Sequence, residues 1–140
     1  MLFVLSCKKD IPVSDVYVKK IWKVDLSASQ IVPSISNRTD HAVASVYLMD
    51  NNELYYYIYF DQLLNNGDKP LGASIYIGTA GINGILLAEL KGSSFNEKRE
   101  NDGKISLSEA AVNSLLTENN LYLSIASIQQ NAGLVRGQLK

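Results

Sequence analysis

The chain offers few residues for metal or nucleophilic chemistry, because it contains one histidine, His41, and one cysteine, Cys7. A zinc site or a Ser-His-Asp triad needs several partner groups in a defined geometry. Four acidic residues occur at the ends of strand-like runs, but their spacing is not that of a calcium-binding loop; they are Asp40, Asp50, Glu53 and Asp61. We therefore expect a surface histidine, solvated carboxylates, and neither a metal, a cofactor nor a catalytic residue.

Tyrosines at alternate positions form the best candidate for a binding surface. Tyr55, Tyr57 and Tyr59 share one face of a predicted strand, and Tyr47 joins them from the preceding strand. An exposed aromatic strip would suit stacking on sugar rings or burial of an apolar protein surface, because tyrosine combines a large contact area with a hydroxyl. The alternative is that a second sheet covers these tyrosines and makes them core. A sandwich must cover one face of each sheet, which favours that alternative.

Arg136, in the sequence Val135-Arg136-Gly137, is a further candidate. Its guanidinium could hold an anionic ligand, but we expect a structural role. In that role its stem packs on the sheet, and its charged end binds a carboxylate or loop carbonyl groups. Glu89, on a neighbouring apolar strand, is one conceivable partner. Gly137 would then permit a bulge or a close approach of two backbones.

Composition and charge indicate one ordinary globular domain. The 140 residues are enough to bury a substantial core; 46% are hydrophobic and 19% are charged. The net charge is −1, and the densest basic group, Lys19, Lys20 and Lys23, is flanked by Asp15 and Asp25. Nucleic-acid binding needs clustered positive charge, so we expect no nucleic-acid partner.

Short apolar runs separated by turn residues predict an all-β domain, either an antiparallel sandwich or a barrel. The predicted strands span residues 16–27, 42–49, 54–60, 71–77, 85–90, 121–128 and 134–139. The sequence Ser106-Leu107-Ser108-Glu109 fits a capping box and predicts one short helix. Three glycines after the fourth strand are spaced too irregularly for a phosphate-binding loop and are expected in turns; they are Gly78, Gly81 and Gly84.

The second and third predicted strands form a hairpin about the turn at residues 50–53, where Asn and Asp tolerate left-handed backbone angles. Small residues then face large ones across the hairpin, as interdigitated packing requires. The predicted pairs are Leu48 with Leu54, Val46 with Tyr56, Ala44 with Ile58, and Ala42 with Phe60. A one-residue slip would exchange the two faces, so this register should be well specified.

The N-terminus resembles the lipobox of bacterial lipoproteins, in which a signal peptidase cuts before a cysteine whose thiol carries diacylglycerol. An apolar run and the small Ser6 precede Cys7, and the polar Lys8 follows it. Acyl chains supply membrane affinity of roughly 0.8 kcal/mol per buried CH₂. Residues 1–6 are then the remnant of a signal peptide, residues 7–15 a tether, and residues 16–140 the β domain. The residue after Cys7 is Lys8 and not Asp, and in this respect the sequence resembles lipoproteins that are sorted to the outer membrane.

Several segments in order resemble the chordin-type (CHRD) domain, over about residues 22 to 139. These segments are residues 26–33 (LSASQIVP), 71–84 (LGASIYIGTAGING), 105–126 and, most specifically, 133–139 (GLVRGQL). Ile31 stands where the family usually has Glu. Ser74, Tyr76 and Ala126 stand where the family commonly has histidines, so a metal-binding role suspected for the family is not expected here.

The resemblance implies an immunoglobulin-like β-sandwich or barrel, found in secreted animal antagonists of growth factors and in many bacterial exported proteins. We therefore expect a non-enzymatic, lipid-anchored binding or scaffold module in the cell envelope, facing the periplasm or the exterior. Its expected partners are the membrane, through the lipid, and an envelope protein or glycan. The alternatives are a metal-dependent or redox β-barrel enzyme, which the missing histidines disfavour, and a purely structural envelope domain.

Overall fold

Eight antiparallel strands form one sheet in the computed structural model, which describes residues 15–63, 67–91 and 94–140. The strands are β1 (Val18–Ser27), β2 (His41–Met49), β3 (Glu53–Gln62), β4 (Pro70–Ile77), β5 (Ile85–Leu90), β6 (Glu100–Ser106), β7 (Leu121–Ser127) and β8 (Val135–Gln138). Their order in the sheet is β5-β4-β7-β8-β1-β2-β3-β6, and the two edge strands contact each other. The expected all-β fold is confirmed as a nearly closed barrel. Cys7, the signal-peptide remnant and residues 7–14 of the tether lie outside the described residues.

The β2–β3 hairpin has the predicted register, with Ala42 opposite Phe60 and Leu48 opposite Leu54. Asn52 in the turn adopts a φ of 65°, the left-handed conformation that Asn tolerates better than most residues. The even-numbered side chains from Ala42 to Leu48 and from Leu54 to Phe60 point into the barrel and are almost completely buried. The pairing of small residues on β2 with large residues on β3 therefore predicted the register of this hairpin correctly.

The barrel interior is one continuous hydrophobic core, with fully or nearly fully buried members on every strand except β6, from which the partly buried Ile105 packs against it. Each large aliphatic side chain that becomes fully buried contributes about 1.5–3 kcal/mol relative to an exposed one. The fully buried members include Leu26, Val46, Leu48, Leu54, Ile58, Phe60, Ile75, Leu123, Ile125 and Leu134. A short helix, α1 (Glu109–Thr117), adds Val112 and Leu115 to the same core.

Two elements differ from the sequence predictions. Strand β6 was not predicted, because its sequence is polar and lacks an apolar alternation, yet it pairs along β3 from Glu53 to Tyr59. Gly103 faces Tyr56 there, and a Cβ at this position would lie 2.7 Å from the Tyr56 hydroxyl. The predicted capping box at Ser106 is wrong, since Ser106 ends β6 and the side chain of Ser108 caps α1.

A buried ionic network joins the loops at one end of the barrel. The guanidinium of Arg38 lies 2.7 Å from a carboxylate oxygen of Asp40 and 2.8 Å from one of Asp68. The hydrogen bond to Asp40 raises the pKa of this guanidinium, although burial opposes the change. Ser127 donates to Asp68 at 2.7 Å. Asp40 is only 1% exposed, so the expectation that it is a solvated turn acid is wrong. Burial on this scale requires paired charges, and the network provides them.

Candidate functional site

The outer surface of β2 and β3 carries the predicted aromatic strip, which we call the tyrosine face (Tyr47, Tyr55, Tyr57 and Tyr59). Tyr55, Tyr57 and Tyr59 are 36%, 41% and 37% exposed. They alternate with buried residues along β3 at a spacing of about 7 Å. The expectation that a second sheet covers them is wrong, because the described strands all belong to one sheet whose other side forms the core.

Polar neighbours on β6 hold the rings of the tyrosine face in position. Tyr57 donates a hydrogen bond from its hydroxyl to the carboxylate of Glu100 at 2.9 Å. That bond raises the pKa of the Tyr57 hydroxyl, so the ring stays neutral at physiological pH. The ammonium of Lys104 lies 5.6 Å from the centre of the Tyr55 ring, within cation–π range. The face therefore combines flat aromatic surface with charged groups at its border.

Two shallow hollows flank Tyr57. One, of about 490 Å³, lies between Tyr47, Tyr55 and Tyr57. The other, of about 740 Å³, extends from Tyr57 over β1 and reaches Lys23 and Gln138; we call it the Tyr57 hollow. Ligand sites in proteins are concave and mostly apolar with a few polar groups, and both hollows have that character.

His41 lies at the border of the tyrosine face and bridges three strands. Its Nδ1 is 2.5 Å from a carboxylate oxygen of Asp61 on β3, and its Nε2 bonds the carboxylate of Asp25 on β1. The bond to Asp61 is the main reason that the pKa of His41 is raised above its usual 6.5, although partial burial opposes it. The ring therefore acts as a cationic clamp between two acids.

The His41 clamp predicts a pH-dependent stability. Because the pKa is raised on folding, its stabilising contribution is complete below about pH 6.5 and is lost as the pH rises through the raised value. We expect the difference in unfolding free energy between wild type and His41→Gln to be below about 1 kcal/mol in mild acid. Urea titrations at several pH values should show this difference shrinking toward zero in alkali. A difference that grows with pH would contradict the clamp.

Arg136 is buried beneath the loop that follows β4. The residue is 2% exposed, and its Nη2 donates to the backbone oxygen of Thr79 at 2.7 Å. Its guanidinium carbon lies 3.5 Å from the centre of the Tyr122 ring. Glu89, which the sequence suggested as a partner of Arg136, is exposed, and its carboxylate pairs with the ammonium of Lys91 at 3.8 Å. The side chain thus links β8 to a loop through a carbonyl group.

The glycines singled out in the sequence lie where this loop and β8 approach other backbones. Gly78, Gly81 and Gly84 occupy the loop between β4 and β5, and a Cβ on Gly84 would lie 1.8 Å from the oxygen of Ile77. A Cβ on Gly137 would lie 2.2 Å from the oxygen of Asp25. No larger residue fits at either position without moving the backbone.

Residues 15–63, 67–91 and 94–140 contain no group of three or more His, Cys, Asp or Glu side chains arranged to hold a metal ion. Ser74 and Tyr76 lie on β4, and Ala126 lies on β7. No helix within those ranges has the length and apolarity needed to cross a bilayer.

The comparisons with known proteins identify one family. A family model for the CHRD domain matches residues 22–139, which include all four tyrosines of the tyrosine face, His41 and Arg136. No curated protein and no solved structure matches the chain.

Proposed function

Because the chain belongs to the CHRD domain family, we propose that it acts as a binding or scaffold module, not as an enzyme, and that it binds its partner through the tyrosine face. The observation that carries this proposal is the exposure of three tyrosines in a row on β3. Aromatic residues are enriched in recognition surfaces because they bury much area at little conformational cost. Two hollows beside the rings offer space for a ligand.

The non-enzymatic part of the proposal is supported by the state of the one histidine. Both ring nitrogens of His41 are engaged by carboxylates, so the residue has no free nitrogen to act as a general base. Lys104, beside the tyrosine face, is likewise engaged, because its ammonium forms an ion pair with Glu53 at 3.0 Å. These groups are suited to orienting a surface and not to proton transfer.

The location belongs to the same proposal. Cys7 carries the lipid, the domain lies in the cell envelope facing the periplasm or the exterior, and its partner is an envelope glycan or protein. The apolar residues before Cys7 and Lys8 after it support this assignment. A net charge of −1 supports a partner other than nucleic acid.

Replacing the three exposed tyrosines tests the binding surface. The triple variant Tyr55→Ser, Tyr57→Ser, Tyr59→Ser should remain folded, because these side chains lie outside the core. Binding of the purified domain to isolated cell-envelope material should fall at least about tenfold, since hot-spot aromatics contribute 2 kcal/mol or more. Sedimentation with envelope material, alongside circular dichroism, measures both quantities.

Leu116→Ser is a matched control for this experiment. Leu116 is 37% exposed, as Tyr59 is, but it lies on α1. Envelope binding by the control should equal that of wild type. If the triple variant binds as well as the control, the tyrosine face is not the binding surface.

The anchor has an independent test. In a bacterial host with lipoprotein processing, wild type should partition into the detergent phase and Cys7→Ala into the aqueous phase, because two or more acyl chains give stable membrane attachment. Ser14→Ala, in the tether, should partition like wild type. Equal partitioning of wild type and Cys7→Ala would remove the lipid anchor from the proposal.

A further inference from the structure

Two buried arginines in this protein have opposite surroundings. Arg38 is paired with two carboxylates, those of Asp40 and Asp68. Arg136 is the largest fully buried side chain, yet no carboxylate of the described residues forms an ion pair with it. Its hydrogen bonds go to the oxygen of Thr79 and, at 3.5 Å, to Asn83. A buried guanidinium without a counter-charge is costly, so this position favours an anion from outside the domain.

A cavity leads to Arg136. It has a volume of about 410 Å³, and Gln30 and Gln138 also line it. Each of these amides uses its nitrogen to hold the protein: Gln30 donates to the oxygen of Asp25 at 3.1 Å, and Gln138 donates to the oxygen of Gly78 at 3.1 Å. Within the described ranges, neither amide oxygen has a hydrogen-bond partner. The cavity therefore offers a cation for an anion, and two acceptors for donor groups beside it.

The Arg136 cavity adjoins the Tyr57 hollow, because Gln30, Ala80 and Gln138 line both. Lys23 and Lys140 also line the hollow, and neither forms an ion pair within the described part of the chain. The carboxylate of Asp25, which lines the hollow too, is held by His41. Positive charge thus extends from the tyrosine face to the buried arginine.

We propose that the ligand of the tyrosine face is an acidic polysaccharide, of which one uronate carboxylate binds Arg136 while a neighbouring sugar ring packs on Tyr57. This inference rests on the proposed binding role of the tyrosine face. A uronate unit of a (1→4)-linked chain carries its carboxylate and two free hydroxyls, at C2 and C3, on one ring, so one unit supplies the anion and also the donors for hydrogen bonds to the amide oxygens of Gln30 and Gln138. A glutamate side chain ends in its carboxylate and carries no donor, so in a polyglutamate only the backbone N–H groups remain to pair with these amide oxygens.

Oligogalacturonate and its methyl ester test the inference with the same sugar chain, charged and uncharged. By isothermal titration calorimetry, the full chain should bind the acid form at least about tenfold more tightly than the ester, as expected for a charge-assisted bond. The double variant Lys23→Gln, Lys140→Gln should weaken acid-form binding several-fold. Equal affinity for acid and ester would overturn the proposal, as would equal or tighter binding of a hexaglutamate peptide.

Gln138→Glu is the sharpest variant, because it places a carboxylate in the Arg136 cavity and leaves the arginine in place. The new carboxylate should lower oligogalacturonate affinity at least about tenfold, and the loss of the hydrogen bond to Gly78 should lower the melting temperature slightly. Asn119→Asp adds the same charge in the turn after α1 and should alter neither value. Unchanged affinity in Gln138→Glu would overturn the proposal. If the tyrosine replacements weaken envelope binding but oligogalacturonate does not bind, this inference fails and the proposed function stands. If the tyrosine replacements leave envelope binding unchanged, the proposed function fails.

Discussion

Replacement of Asp68 by alanine should lower the free energy of unfolding by about 3 kcal/mol, the lower end of the range for removing one partner of a buried ion pair, because Arg38 keeps its second acid, Asp40. Asp68 is 7% exposed, and its carboxylate accepts hydrogen bonds from Arg38, Ser127 and the backbone of Gln129. The alanine variant leaves the Arg38 guanidinium buried with one acid in place of two. Urea unfolding at neutral pH measures the loss.

The same contacts make the Asp68 contribution depend on pH. Burial opposes ionisation of Asp68, but the hydrogen bonds from Ser127, Gln129 and Arg38 outweigh it and lower the pKa below 3.8. Its stabilising effect is therefore complete above about pH 4 and is lost as the pH falls through the lowered value. The control Asp102→Ala removes an exposed acid and should cost less than about 0.5 kcal/mol. Equal losses in the two variants would contradict the buried network.

Gly137→Ala should lower the free energy of unfolding by about 3 kcal/mol, although it adds only one methyl group. The added Cβ would lie 2.2 Å from the oxygen of Asp25 and 2.8 Å from its carbonyl carbon. Neither atom belongs to a flexible side chain, so β8 must move away from β1. Because β8 joins β7 to β1 in the sheet order, this movement opens the barrel where its two halves meet. Thermal and urea unfolding both report the change.

Gly72→Ala provides the matched control for Gly137→Ala. Gly72 lies on β4, no atom is within 4 Å of the position of its Cβ, and its φ is not in the left-handed region. Adding a methyl group there restricts the unfolded chain without straining the folded one, so stability should be unchanged or rise slightly. If both variants unfold alike, the close approach of β8 to β1 is not what requires glycine.

Local patterns explain why much of the fold could be predicted. The seven predicted strands are present with ends within two residues of the expected positions, because each combines apolar alternation with flanking turn residues. The β2–β3 register followed from side-chain size on two neighbouring strands. Strand β6 escaped prediction because its inward positions hold Asn101, Gly103 and Ile105, and only pairing with β3 makes this sequence a strand.

Long-range contacts explain what could not be predicted at the candidate site. The tyrosines and Arg136 were identifiable by residue type, but whether the tyrosines are core depended on one sheet closing on itself. Asp40 looked like a turn acid in the sequence because it is buried in a network whose second acid, Asp68, lies 28 positions further along the chain. Gln30 and Gln138 carried no signal of their own, and they line one cavity only because the segment that follows β1 packs against β8.

Hydroxyl-radical footprinting of the folded domain, with and without isolated envelope material, measures the use of the tyrosine face residue by residue. Free protein should be oxidised at Tyr55, Tyr57 and Tyr59 and spared at the buried Tyr56 and Tyr122. Bound protein should lose oxidation at the first three while exposed Leu116 reacts as before. If envelope material binds but leaves the oxidation of Tyr55, Tyr57 and Tyr59 unchanged, recognition occurs elsewhere on this domain.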